Sequence, residues 1–254
     1  ELFNGDTSLG IATAGSDAAF SITSSQLADG NYNLTVTSTD VAGNISEASS
    51  ALSITVDTII PTISITSDVS SLKAGENATL TFTLSEESTD FVEADITATG
   101  GTISNFAGSG TTYTATFTPA EDSTASGSIS VDASSFTDAA GNENTTGSLT
   151  LAVDTVVPGI TITSSDSALK AGETATITFT LSEESTDFTA EDISVSGGSI
   201  DSFTAVSATV YTAVFTPEEN STASGLISVD TSSFTDAAGN DKTAGSLTLA
   251  VDTV

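Results

Sequence analysis

The side chains able to do chemistry in this chain are almost all carboxylates, and they recur. Asp57, the acidic segment Ser85 to Asp90 with Asp95 beyond it, and the run Asp138 to Asn142 return as Asp154, Ser182 to Asp187 with Asp192, and Asp236 to Asn240. The chain holds no Cys and no His, so thiolate nucleophiles, disulfides, Ser-His triads and metal sites built on soft or imidazole ligands are excluded on inventory. Carboxylate, amide, hydroxyl and backbone carbonyl oxygens remain. These are the ligands of Ca²⁺ and, less readily, of Mg²⁺. Glu86 and Glu87 do not make a glycosidase pair, because adjacent loop residues cannot flank a sugar and there is no Trp to stack on one. The chain reads as non-enzymatic.

Charge narrows the partners. The sequence has 34 acidic residues against 3 basic ones, a net charge of −31. Counterion release at phosphates and attraction to anionic lipid both need basic surface, which Lys73, Lys170 and Lys242 do not supply. Nucleic acid and direct membrane insertion are therefore excluded. At 37% hydrophobic residues the chain is too apolar for a disordered acidic tail and should fold. No apolar run reaches the length of a membrane span and no charged segment opens a signal peptide. Because a secreted chain carries an address, residue 1 is expected to lie inside a longer protein. The lack of Cys fits a cytosolic protein and a disulfide-free extracellular one equally.

Internal repetition defines the elements that must position the carboxylates. Asp57-Thr58-Ile59-Ile60-Pro61 returns 97 residues later as Asp154-Thr155-Val156-Val157-Pro158, and Asp252-Thr253-Val254 opens a third copy after 98 more. Leu72 to Glu76 recurs at Leu169 to Glu173, Leu84 to Phe91 recurs unchanged at Leu181 to Phe188, and Phe136 to Asn142 recurs at Phe234 to Asn240. Within a repeat the period is two: Thr79 to Leu84 and Tyr113 to Thr118 alternate apolar residues with Thr, one face for a core and one for water. Turn signals divide the first full repeat into seven strands, at 61–67, 77–84, 95–99, 102–106, 111–118, 127–133 and 147–154. The fold class is all-β, tandem seven-stranded immunoglobulin-like β-sandwiches in an extended array. The units are residues 57–153 and 154–251, with 252–254 starting the next linker. Residues 1–56 share the ending Thr39 to Asn44 and Leu52 to Val56 but not the start. They read as about five strands, including Leu2-Phe3, Ser8 to Thr13, Ala18 to Thr23 and Asn31 to Ser38, and as the later part of a divergent Ig-like domain whose first strands are missing.

The linker Asp-Thr-x-x-Pro, Leu-Lys-Ala-Gly-Glu, Phe-Thr-Leu-Ser-Glu, a Gly-Gly turn, Tyr-Thr-Ala-x-Phe-Thr-Pro and Asp-Ala-Ala-Gly-Asn together resemble the bacterial Ig-like repeats of giant secreted adhesins of the RTX and Bap type. The likeness covers residues 57–251. It implies secretion to the bacterial cell surface, tandem arrays and calcium at domain junctions. The glycine-rich nonapeptide repeats that often close such adhesins are not in this sequence.

Topology then turns sequence positions into places. Strands of a sandwich run alternately up and down, so the linker before the first strand shares a pole with the loops after the second, fourth and sixth. Asp57, Glu86 and Asp138 should meet at one pole of the first full repeat, and Asp154, Glu183 and Asp236 at the same pole of the second, where the linker Asp and the Ser-Glu also match the family pattern. Packed carboxylates repel unless a cation lies between them, and the expected cofactor is Ca²⁺. Asp95, Asp192, Asn142 and Asn240 are further ligand candidates, as is Asp40 of residues 1–56, while Glu87, Asp90, Asp95 and Asn142 serve equally well as supporting or solvated groups. Glu121 and Asp122, at the opposite pole, lie near Asp154. The competing reading is turn chemistry, since Asp-x-x-Gly-Asn also satisfies local backbone hydrogen bonds. The row Thr79, Thr81, Thr83 reads as the wet face of a strand.

These features point to a calcium-stiffened structural spacer whose partners are neighbouring Ig-like domains of the same chain. Two alternatives stand beside it. One is a module that binds carbohydrate or host protein. The other is a subunit of a fibre or surface layer, in which a neighbouring chain supplies the missing strands of residues 1–56.

Overall fold

The computed structural model describes residues 1–16 and 19–254. Its first unit is a single antiparallel sheet of four strands, β1 (Leu2–Asn4), β2 (Thr7–Gly10), β3 (Gly30–Val36) and β4 (Leu52–Val56), in the order β2-β1-β3-β4. This corrects the five strands expected there: residues 19–23 are not in a strand, and Ala18 lies outside the described residues. None of the described residues before Asp57 is buried. Among the described residues no second sheet faces it on which to build a core.

The middle unit has two facing sheets. Its strands are β5 (Ile63–Ser67), β6 (Ser71–Lys73), β7 (Ala78–Ser88), β8 (Ile96–Thr99), β9 (Gly101–Pro119), β10 (Gly127–Val131) and β11 (Gly147–Asp154). One sheet runs β6-β11-β10-β8 and the other β5-β7-β9. Alternation does what it must: along β7, Ala78, Leu80, Phe82 and Leu84 are buried and the intervening Thr residues are not. Element β9 folds back on itself, with Gly101 against Thr118 and the Asn105 amide donating to Thr116 Oγ1 at 3.3 Å. The two strands expected at 102–106 and 111–118 are therefore the arms of one unbroken hairpin element.

The third unit repeats the plan with β12 (Ile160–Ser164), β13 (Ala168–Lys170), β14 (Ala175–Leu181), β15 (Ile193–Ser196), β16 (Gly198–Ala205), β17 (Val210–Pro217), β18 (Gly225–Val229) and β19 (Gly245–Asp252), in sheets β12-β14-β17-β16 and β13-β19-β18-β15. The identical segments Leu84 to Phe91 and Leu181 to Phe188 differ in one respect. In the middle unit Ser88 pairs with Gly110 and strand β7 runs on through Glu86. In the third, where the hairpin is one residue longer, β14 stops at Leu181 and Glu183 sits in a loop.

The strand absent from the sequence reading is β6, with its copy β13. It pairs parallel to the last strand of its own unit, Leu72 with Val153 and Lys73 with Asp154. The chain thus begins in one sheet as β5 and crosses to the edge of the other as β6. That crossing delivers the turn Lys73 to Glu76 to the pole where the unit ends.

Each full unit has its own core, around Phe82, Phe117 and Phe136 in one and Phe179, Phe215 and Phe234 in the other. Phe117 is fully buried between two glycines: a Cβ at Gly101 or Gly127 would lie 2.5 or 2.6 Å from its ring. Phe117→Ala empties that slot and should cost about 3 to 5 kcal/mol. Because the cores are separate, calorimetry should show the middle unit melting earlier while the third keeps its transition. A joint shift of both would mean that the units unfold as one body.

Candidate metal centre

Asp57 follows β4 directly, and the first linker is fixed by short-range hydrogen bonds. Thr58 donates from its N–H and its Oγ1 to Asp29 Oδ1, both at 2.9 Å, and Asp57 Oδ1 accepts from Ile59 N at 3.1 Å. Asp138 lies in a turn closed by Gly141 at φ 92°, a conformation natural to glycine. Its Oδ1 accepts from Ala140 N at 2.8 Å and Asn142 N at 2.9 Å, and its Oδ2 accepts from Asn142 Nδ2 at 2.9 Å. That same Nδ2 donates to the Asp57 carbonyl at 3.1 Å, tying turn to linker. Asp90 closes the arrangement by accepting from Thr137 N at 3.0 Å and Thr137 Oγ1 at 2.9 Å, which holds the Glu86 segment against the turn.

These constraints bring one oxygen each of Asp57, Glu86 and Asp138 within 4.8 Å of one another, and the pole of the third unit does the same with Asp154, Glu183 and Asp236. Asp236 and Asn240 repeat the turn bond for bond, with Asn240 Nδ2 on the Asp154 carbonyl at 2.9 Å. Asp138 and Asp236 are buried and the other four half-buried. Burial, then the charges of Asp57, Asp138 and Asp29, raises the Glu86 carboxyl above its ordinary pKa. Burial, then Asp154 and Asp236, does the same to Glu183, and its protonated form also shares a hydrogen bond with Asp236. Asp138 moves down instead, because the donors of Asn142, Ala140 and Gly141 outweigh its desolvation.

The donor set fits a hard cation. Two oxygens on a Ca²⁺ shell of radius 2.3 to 2.6 Å are separated by at most about 4.6 to 5.2 Å, and the observed grouping falls within that span. Turn chemistry and cation binding are not exclusive here, because the turn hydrogen bonds orient the same carboxylate that faces its neighbours.

Other candidates take different roles. Asp95 and Asp192 stand outside the groupings and cap short 3-10 turns, Asp95 Oδ2 accepting from Val92 N at 2.8 Å and Asp192 Oδ2 from Thr189 N at 2.7 Å. Asn142 and Asn240 turn their amide nitrogens to the linkers and brace the site. Asp40 repeats the turn, with Asn44 as chief cause of its lowered pKa, but joins no carboxylate grouping among the described residues. Glu121 and Asp122 also stand apart, although their turn matters through its backbone. Thr155 Oγ1 donates to Ala120 O at 2.7 Å and accepts from Ser123 N at 3.0 Å, so the linker Thr is held by the preceding unit. Thr253 does the same with Glu218 O and Ser221 N. Sequence reasoning missed this Thr although it repeats in every Asp-Thr linker, and it missed Asp29.

Two-layered sandwiches in tandem with an acidic pole at each linker define a chain of Ig-like modules. A family model described as a bacterial Ig-like domain matches residues 57–153 and 154–252, and a second model of the same description matches 1–58. The chain belongs to the bacterial Ig-like domain family. No curated protein sequence matches it. Similar solved structures include FdeC, an Escherichia coli adhesin, at 20% identity over 88% of this chain and 74% of that one with a TM-score of 0.42. Invasin, described as a bacterial integrin-binding protein, is 14% identical over 88% of this chain and 46% of its own, with a TM-score of 0.43. The Yersinia pseudotuberculosis adhesin InvE is 17% identical over 74% and 58%, at 0.29. At these values the likeness carries no functional weight.

The raised Glu183 pKa fixes a sign. The folded state holds a proton that the unfolded state has lost, so this group favours folding below the ordinary Glu value of 4.5 and loses that contribution as pH rises through its raised value. Glu183→Gln removes the effect while keeping a donor for Asp236. In chelator near neutral pH the variant should melt higher than wild type, and the gap should close in acid. A lower melting temperature at neutral pH would show that the ionised Glu183 is stabilised by its surroundings.

Proposed function

We propose that this chain is a structural spacer of an extracellular bacterial adhesin, stiffened by calcium at its domain junctions and without enzymatic activity. The observation that carries the reading is the duplicated pole, Asp57, Glu86 and Asp138 repeated as Asp154, Glu183 and Asp236. In each, one carboxylate comes from the linker and two from the unit that follows. Near-identical modules suit a spacer, which needs length and no unique surface. The aromatic residues favour it over a sugar-binding module, because Phe106 and Tyr113 stack on each other and Phe91 meets both edge-on in the core.

The mechanism is a matter of attachment. Thr155 is held back by Ala120 and Ser123 of the preceding unit, and Pro158 is held forward by Thr243 N on its carbonyl at 3.0 Å. Just before them Asp154, at the end of β11, carries its carboxylate to the pole ahead. Without a counter-charge the three carboxylates push that pole from the linker; calcium would reverse the sign and fix the angle between units. Extracellular modules of this kind bind in the range of about 10⁻⁴ to 10⁻³ M.

Small-angle scattering tests this on the chain as it stands. With millimolar calcium the units should lie end to end, each adding about 30 to 45 Å from strands of seven to nine residues plus loops. In chelator the maximum dimension should shrink and its spread grow. Asp57→Asn should look chelated at its own junction even with calcium. An unchanged profile, or an Asp57→Asn variant that behaves as wild type in calcium, overturns the proposal.

A further inference from the structure

The two junctions share an acidic pole but differ in what the preceding unit brings to it. At the second junction the turn at the end of β6 sits on the turn of the third unit. Lys73 Nζ donates to the Gly239 carbonyl at 2.9 Å and Ala74 N donates to Asn240 Oδ1 at 2.7 Å. The lysine stem lies along Gly239, where a Cβ would meet Nζ at 3.5 Å and Cδ at 3.8 Å. Asn240 is left only 2% exposed.

The first junction lacks this contact. Asn142 remains half-buried, and a Cβ at Gly141 would meet nothing within 4 Å. Among the described residues no hydrogen bond runs directly from the body of the first unit to that of the middle one; the links pass through Thr58 to Asp29 and through Asn142 to the Asp57 carbonyl. Asp29 raises the Glu86 pKa, so the preceding unit there adds negative charge where at the second junction it adds an ammonium.

The third unit carries the same turn, and there it serves as an internal control. Lys170 Nζ pairs with its own Glu173 at 3.8 Å, and its side chain is 82% exposed. The backbone of the turn is alike in both copies, with Lys73 N on Glu76 and Lys170 N on Glu173. The lysine leaves its neighbouring Glu only where an Asp-x-x-Gly-Asn turn faces it.

We propose that the Lys73-Ala74 turn is a cation-independent latch that recognises the Asp-x-x-Gly-Asn turn of the following unit, so that the second junction stays docked under conditions in which the first swings. Two hydrogen bonds are a small interface, but the partners are tethered by the three residues Thr155 to Val157, which keeps their effective concentration high. One of the bonds is charge-assisted, and the carbonyl it uses belongs to a glycine over which the stem can lie flat. The latch holds whether or not the carboxylates bind calcium.

Because the chain has no Cys, pairs of introduced Cys carry spin labels without background. Thr97→Cys with Ser194→Cys spans the second junction and Ser50→Cys with Thr97→Cys spans the first, all at exposed positions. In chelator the first pair should give a narrow distance distribution and the second a broad one. Lys73→Met should widen the narrow one about twofold, towards the motion expected of units joined by a small interface, while Lys170→Met should leave both as in wild type. A Lys73→Met distribution as narrow as that of wild type overturns the latch. So does a second junction already as broad as the first in wild type, or equal broadening by Lys170→Met. Calcium that narrows neither pair would defeat the junction metal and leave the latch standing.

Discussion

Like charges held at one point by a short tether are the constraint around which this molecule is arranged. The linker between Asp154 and Pro158 is three residues long, and it joins the last strand of one sandwich to the first strand of the next. Asp154 is the terminal residue of β11, so its backbone belongs to the unit behind while its carboxylate meets Glu183 and Asp236 of the unit ahead. At separations below 4.8 Å the three charges lie well inside a Debye length of about 8 Å and salt does not screen them. The protein commits hydrogen bonds to hold this unfavourable grouping together: Asp236 is fixed by Ala238, Asn240 and the Asn240 amide, and the amide in turn grips the linker.

The sheet-switching start of each full unit serves the opposite pole. Ile63–Ser67 pairs in one sheet and Ser71–Lys73 in the other, which closes the edge beside the final strand and carries a turn to the point where the chain leaves. The result is a module with two unlike ends. The entry pole presents carboxylates and an Asp-x-x-Gly-Asn turn, and the exit pole presents a lysine turn and backbone groups that seize the linker Thr. Head-to-tail stacking of such modules is heterologous, one face meeting a different face, and suits a linear array.

The sandwich was legible because Thr alternates with Leu, Phe and Tyr at period two, and because the repeat places the same turns at the same offsets. The meeting of Asp57, Glu86 and Asp138 followed from strands running alternately up and down, without knowledge of any contact. Strand β6 was not legible: three residues pairing in parallel with a distant strand leave no period to read, and only Leu72 of the three is buried. Asp95 and Asp192 were over-read, since an acidic residue following an acidic loop looks the same in sequence whether it faces a cation or caps a turn. Lys73 looked like one of three scattered lysines, because its importance lies in a pairing 166 residues away.

Comparison of the duplicated positions shows where such a module tolerates change. In the middle unit Asn144 is buried and donates to the carbonyls of Asp132 and Thr145 at 2.9 and 2.8 Å. In the third, Lys242 occupies the equivalent position, donates to the carbonyls of Val229 and Thr243 at 2.8 Å, and lies 5.6 Å from the Phe234 ring centroid. Burial lowers the Lys242 pKa, partly offset by Asp230 and Asp192. An amide and an ammonium are chemically unlike, yet each donates to two backbone carbonyls there. The exchange keeps donors in place while giving up the bonds that Asn144 Oδ1 accepts from Ser135 N at 2.8 Å and Phe136 N at 2.9 Å. A polar side chain deep in the sandwich can therefore be exchanged without every hydrogen bond being kept. Asn240 at the entry pole has no such freedom, because it answers to the Asp236 carboxylate, to the Asp154 carbonyl and to Ala74 of the unit behind it. In this chain the interior maintains the fold, while the geometry between units is decided by the few residues where one unit ends and the next begins.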